Sequence, residues 1–262
     1  MTEELTTAAG RYIYAIIRTP AAASAEKRPG FPWVSECIGF EGRAVYPIPG
    51  GPVAAVVSDI PNHSLRAERR NLAVHYDVLK RLMKQEAVLP MAFGIIADSS
   101  DAIRRVLRWR QSTLVDQLER VAGKAEMGLK VTWTAPNIFE YFVNTHDELR
   151  TLRDELFRDG RDPPPQEKIE LGRLFQRTLN EDRAEHTRTV LSVLRPLCFE
   201  IKENKLRTER EVMNLACLVG QGSQTEFERG VFEAAKRFDD NYSFDFSGPF
   251  LPHNFVEVDL RA

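Results

Sequence analysis

A nucleophilic enzyme needs an activated serine or cysteine, and this sequence shows no recognisable setting for either. It contains no G-x-S-x-G elbow. Cys198 and Cys217 stand in apolar, strand-like runs and read as buried, inert thiols, because reactivity needs an exposed, electropositive setting. With Cys37 they make three cysteines, no C-x-x-C and an odd thiol, which suits a reducing cytoplasm. The five histidines, His63, His75, His146, His186 and His253, are scattered without metal-ligand spacing and read as isolated surface residues. Gly220-Gln-Gly222-Ser223 could turn backbone N–H groups toward an anion. It lacks the G-K-[ST] ending of a phosphate loop and reads as a strand-to-helix turn. The acid pairs Glu181-Asp182 and Asp239-Asp240 lie in polar helical stretches and read as solvated charge. Trp109 and Trp133 read as core or interface aromatics, not base-stacking platforms. The expectation is a protein without catalytic residues, metal or cofactor.

Composition is ordinary for a globular protein with a real core. The 262 residues suffice for two domains, with 43% hydrophobic and 28% charged residues and a net charge of −2. No strong field exists to steer nucleic acid or anionic lipid. The basic runs at 66–70 and 104–110 fall in helical patterns beside acids and read as solvated faces. No basic-then-apolar leader opens the chain, and no apolar run approaches ~18 residues, so neither secretion nor a membrane span is expected.

The elements follow from periodicity. Residues 11–17 are apolar on both faces and predict a central strand. A loop is expected over 19–32, short strands over 34–40 and 43–46, a turn at 47–52 and a buried strand over 53–57. Leu65, Leu72, Tyr76, Leu79 and Met83 mark one helical face. A strand follows over 87–96, with Pro90 pointing to a sheet edge or a bulge. Asp98 to Asp101 then caps a single helix carrying Ile103, Leu107, Leu114, Leu118 and Val121. Gly123 to Gly128 reads as a break, giving an α+β domain over 1–124.

In the second half, 129–134 alternates as a strand, and Thr145-His-Asp-Glu148 is a capping box for a helix. After Pro163-Pro-Pro165 a long helix runs from about 166 to 194. Its middle, Asn180 through Arg183 to Arg188, is almost wholly polar and is expected to project into solvent or touch a partner. Two strands over 197–201 and 211–219, a helix capped by Ser223 and Glu226, and the aromatic strand from Tyr242 complete the order β, helices, β, β, α, β. That is a ferredoxin-like order with extra helix in the first crossover, placed over 125–247. Gly248-Pro249 is expected to stop the aromatic strand, leaving a rigid tail over 248–262 that must pack against something.

Two stretches together resemble the gas vesicle GvpL/GvpF family: Val88-Leu-Pro-Met-Ala-Phe-Gly94 and Ser247-Gly-Pro-Phe-Leu-Pro-His-Asn-Phe-Val256. Tyr12-Ile-Tyr14, Val131-Thr-Trp133, Gly172-Arg-Leu174 and Asn214-Leu-Ala-Cys-Leu-Val219 agree in the same order, so the resemblance spans nearly the whole chain. The tail departs from the family pattern, with Phe250 for a Trp, Leu251 for a Pro and His253 for a Tyr. Aromatic bulk is kept at Phe250, and a phenol hydroxyl is lost at His253.

The resemblance implies a non-enzymatic accessory protein or minor component of gas vesicles within the cytoplasm. It implies binding to the hydrophobic shell protein GvpA, possible further gas vesicle partners, and a limit on GvpA aggregation during nucleation. It also implies two α+β domains, the second a modified ferredoxin-like fold, with a C-terminal tail packing between them. Gly248, Pro249, Phe250, Pro252 and Phe255 are its tail-packing signature. Asn180, Arg183 and Arg188 are a separate expected partner surface, from the polar helix. A competing reading, a small-molecule-binding or enzymatic ferredoxin-like domain, requires a polar pocket with convergent, perturbed titratable groups.

Overall fold

The computed structural model describes residues 9–19, 34, 36–61, 64–158, 160 and 162–258. His63, the first eight residues and 20–32 of the expected loop lie outside the described residues. The chain is a mixed α/β protein that divides into two compact units, residues 1–126 with 250–262, and residues 127–249.

The first unit is built on β1 (Ala9–Arg18), whose residues from Tyr12 to Ile17 are all buried. It pairs antiparallel with β3 (Val53–Pro61), and β3 pairs antiparallel with β2 (Val45–Pro49). On its other side β1 pairs with β4 (Val88–Pro90) and β5 (Ile96–Ala97). The order is β2-β3-β1-β4, so Pro90 ends an edge strand, where its missing N–H costs no ladder bond.

A register shift between Ile13 and Ala15 sorts the β1 side chains. Tyr12, Tyr14, Ala15 and Ile17 face the helix α1 (Arg69–Met83) through Val78, Leu79 and Leu82. Ile13 and Ile16 face α2 (Ser100–Trp109) and α3 (Gln111–Val121) through Ile103, Leu107, Leu114 and Leu118. The unit is therefore helix, sheet, helix.

The second unit carries β6 (Lys124–Trp133), β7 (Glu200–Glu203), β8 (Glu211–Gly220) and β9 (Tyr242–Phe250) in the order β7-β8-β6-β9. Three helices, α4 (Ile138–Thr145), α5 (Asp147–Leu156) and α6 (Pro165–Leu194), lie between β6 and β7 in sequence. α7 (Gln224–Ala235) lies between β8 and β9. Leu179, Val190, Leu194, Phe227 and Val231 pack the helices onto Leu129, Val131, Leu215 and Cys217 of the sheet.

Several expectations are corrected. Gly123 to Gly128 does not interrupt the secondary structure, although the two units divide within it, between 126 and 127: Gly123 turns, at φ 65, and β6 runs on through Gly128, where an added Cβ would lie 3.0 Å from Ser247 Oγ. The single helix after Asp98 is two, joined at Arg110 (φ −96, ψ 9), although Ser99 caps the first as its type suggests. Over 34–40 the described residues show one bridge, Ile38 to Ala44, and then a 3-10 turn at Phe40–Gly42. Pro47 and Pro49 belong to β2, and the turn is confined to 50–52. Thr145 ends α4, with its hydroxyl donating to the Tyr141 carbonyl, so it cannot cap α5. Ser223 holds the N-cap position of α7 without a side-chain bond. Gly248-Pro249 does not stop β9, which continues through a cis peptide to Phe250.

Candidate functional site

The three polar residues expected to meet a partner are brought to one groove of about 450 Å³ in the second unit. Residues 180, 183, 184, 187, 188 and 191 recur at the i, i+3, i+4, i+7 spacing of a single helical face, and Arg195 follows at the C-cap. α6 thus forms one wall, and the opposite wall is β8 with the loop before it. Leu191, Val212 and Leu215 are buried in the floor. Asn180, Ala184 and Arg188 are exposed along the rim.

Arg183 is not free surface. Its Nε donates to the Glu211 carbonyl (3.0 Å) and its Nη2 to the Glu209 carbonyl (2.8 Å), while its guanidinium lies 5.5 Å from the Trp133 ring centroid. Burial pulls its pKa down, against the nearby Glu209 and Glu211. The side chain therefore ties α6 to the strand hairpin. Among the described residues Arg188 hydrogen-bonds its own helix, at the Ala184 carbonyl (3.3 Å). Among the described residues the groove is lined by arginine, asparagine and aliphatic side chains together with Glu203 and Thr187.

The signature tail splits in two. Gly248, Pro249 and Phe250 are exposed at the end of β9, with Gly248 at φ 130, a conformation that disfavours any side chain. Leu251, Pro252 and Phe255 are buried in the first unit, Leu251 in the cluster of Tyr12, Tyr14 and Leu79. Val256 and Val258 pack on the opposite cluster. The backbone is pinned between these contacts. Asn254 donates from its N–H (2.9 Å) and its Nδ2 (2.6 Å) to the carboxylate of Glu126, and Gln117 brackets Glu257 through both backbone groups. His253 packs edge-on to Tyr76, and burial pulls its pKa down.

The other signature stretch, from Val88 to Gly94, wraps a buried polar network. The Gly94 N–H donates to the Tyr12 hydroxyl (3.1 Å), and that hydroxyl hydrogen-bonds His75 Nδ1 (2.9 Å). His75 also hydrogen-bonds the Met91 backbone, and Phe93 packs edge-on to both rings. Burial holds the His75 pKa at about 4. Reading His75 as a surface residue was thus wrong. Its spacing to Val78, Leu79 and Leu82 was the available signal, because the buried face of α1 carries these residues and leaves Tyr76 half exposed.

In the second unit His186 Nε2 meets the Tyr242 hydroxyl at 2.7 Å, and His146 Nε2 lies 3.2 Å from Asp182. Both histidines are therefore packing partners. Burial lowers the His186 pKa and raises that of Tyr242. Among the described residues no three histidine, cysteine or acidic side chains gather as a metal-ligand set, and no helix is long and apolar enough to cross a membrane.

Comparison with known proteins places these features in one family. Residues 10–257 match the profile described as "Gas vesicle synthesis protein GvpL/GvpF". Gas vesicle protein F of Nostoc sp. is 22% identical over 252 residues, covering 95% of this chain and 98% of the relative. Gas vesicle protein L1 of Halobacterium salinarum is 22% identical over 270 residues, covering 97% and 92%. The crystal structure of the gas vesicle protein GvpF from Anabaena sp. superposes with a TM-score of 0.79 at 22% identity, over 96% of this chain and 99% of that one. Because the match takes in both units, the Val88–Gly94 wrap and the tail together, the chain belongs to the GvpL/GvpF family of gas vesicle synthesis proteins.

Proposed function

We propose that this chain is a non-enzymatic accessory or minor structural protein of gas vesicles, working in the cytoplasm where vesicles assemble. It binds the hydrophobic shell protein GvpA and limits its aggregation during nucleation. The observation that carries this reading is the family match over residues 10–257. The physical logic is that a monomer with an aggregation-prone apolar surface stays soluble only while a partner covers it. The groove bearing Asn180, Arg183 and Arg188 serves as a partner surface, since its aliphatic floor and polar rim match the anatomy of a binding patch.

The second unit is a modified ferredoxin-like domain. Its order β7-β8-β6-β9, with helices after β6 and after β8, supports that assignment. The signature tail residues Gly248, Pro249, Phe250, Pro252 and Phe255 act by holding the tail in its bound course, with Pro252 and Phe255 as its buried anchors.

The test is co-expression of the shell protein with and without this chain. GvpA is expected to co-purify with it and to scatter less light over time in its presence. Absence of GvpA from the pull-down, with unchanged aggregation, refutes the reading.

A further inference from the structure

We propose that the α6 groove docks an acidic amphipathic helix of a partner protein. This rests on reading the same face as the partner surface. Arg188 in α6 and Arg195, the helical-φ/ψ residue that caps its C-terminal end, lie seven residues apart, so their charges repeat at roughly 10 Å along the axis. Both are exposed, and among the described residues neither forms an ion pair. With Arg183 they set three cations against one acid, Glu203, in the lining. A partner of opposite sign is thereby favoured.

The rim is low at Ala184, one turn before Arg188; Leu191 lies between Arg188 and Arg195, and with Leu215 it forms the floor. A helix with apolar residues at i, i+4 and i+7 fills such a floor, and carboxylates flanking that stripe meet the two arginines. Strand addition is the poorer fit. β7 is an edge of four residues, three of them charged (Glu200, Lys202 and Glu203), a composition that discourages pairing with another strand. Arg183, tethered to the Glu209 and Glu211 carbonyls, fixes the far end of the helical wall before any partner arrives.

The test uses the full chain and two capped helical peptides of about four turns. Each has a leucine stripe, flanked by glutamate in one and by lysine in the other. Fluorescence anisotropy at low salt is expected to show binding of the glutamate peptide only, weakening as salt rises. The double variant R188E/R195E, altered at exposed side chains alone, is expected to lose roughly tenfold or more in affinity and to gain binding of the lysine peptide. Ala184→Trp, which raises the rim over the floor, blocks both. Equal binding of the two peptides, or an unchanged affinity in R188E/R195E, overturns the proposal. So does a concentration-dependent dimer that R188E/R195E dissociates, since a second copy then owns the face. If GvpA is kept soluble while neither peptide binds, the groove proposal fails alone. If the glutamate peptide binds as expected while GvpA still aggregates, the proposed function fails alone.

Discussion

At the scale of single residues, His75 gives the first unit a measurable response to acid. Its pKa is held near 4 in the folded chain against an ordinary 6.5, chiefly by burial. The unfolded chain therefore binds more protons between those values, and stability rises with pH across that window. His75 contributes its full share above pH 6.5 and loses it as pH falls toward 4, on the order of 3 kcal/mol at about 1.4 kcal/mol per unit. Urea midpoints measured from pH 7 to 4.5 should fall more steeply in the wild type than in His75→Phe. Parallel slopes contradict the assignment. Tyr12→Phe removes the hydrogen bond to His75 and strands the Gly94 N–H, for an expected loss of about 1–3 kcal/mol in the same urea titrations. The hydrogen bond between Tyr12 and His75 was not legible in the sequence, whereas the burial of His75 was signalled by its spacing to Val78, Leu79 and Leu82. A histidine on a helix looks alike on either face until the apolar stripe is phased, and the stripe here is turned toward Val78 and Leu82. The Asn254–Glu126 clasp spans 128 residues and leaves no local pattern at all.

At the scale of elements, the strands and helices were legible wherever one period dominated. β1 and β3 announced themselves as runs apolar on both faces, and α6 as a long helix behind three prolines. Boundaries failed where a glycine or a hydroxyl was read without its neighbours. Gly128 looked like part of a break but sits inside β6, where an added Cβ would approach Ser247 Oγ to a tight 3.0 Å. Thr145 looked like a cap, yet two helices meet there and its hydroxyl is spent on the first. Gly50 gives a test of how tightly elements are fitted. A Cβ added there would stand 2.4 Å from the Cβ of Leu107, a fully buried residue of α2. That atom is held by the helix backbone, so relief requires moving α2 away from the β2–β3 turn. Gly50→Ala is expected to cost about 1–3 kcal/mol by overpacking, even though alanine restrains the unfolded chain better. A thermal midpoint equal to or above that of the wild type contradicts this fit.

At the scale of the whole molecule, the tail decides whether the first unit keeps its native stability. Residues 250–258 follow the second unit in sequence but bury Leu251 and Phe255 in the first, with Val256 and Val258 against its other helical face. Full burial of such side chains is worth about 1.5–3 kcal/mol each. Ordering the segment costs about 1–2 kcal/mol per residue of backbone, which offsets much of that gain. The balance tips on what removal leaves behind. Glu126 is itself buried and would lose both Asn254 donors, and the Tyr12–Tyr14 cluster would open to water. A chain ending at Pro249 is therefore expected to lose a few kcal/mol, a large fraction of a total that is about 5–15 kcal/mol for a domain. Hydrogen exchange should show the loss in β1 and α1 while β8 keeps its protection. Adding a synthetic 250–258 peptide should restore part of it, and the same peptide with Phe255→Ala should restore less. Glu126→Ala in the full chain should reproduce a share of the loss, roughly 1–3 kcal/mol, without removing any apolar contact of the tail. Undiminished protection of β1 in the truncated chain would mean that the first unit is stable by itself, and that the tail signature serves a partner rather than the fold.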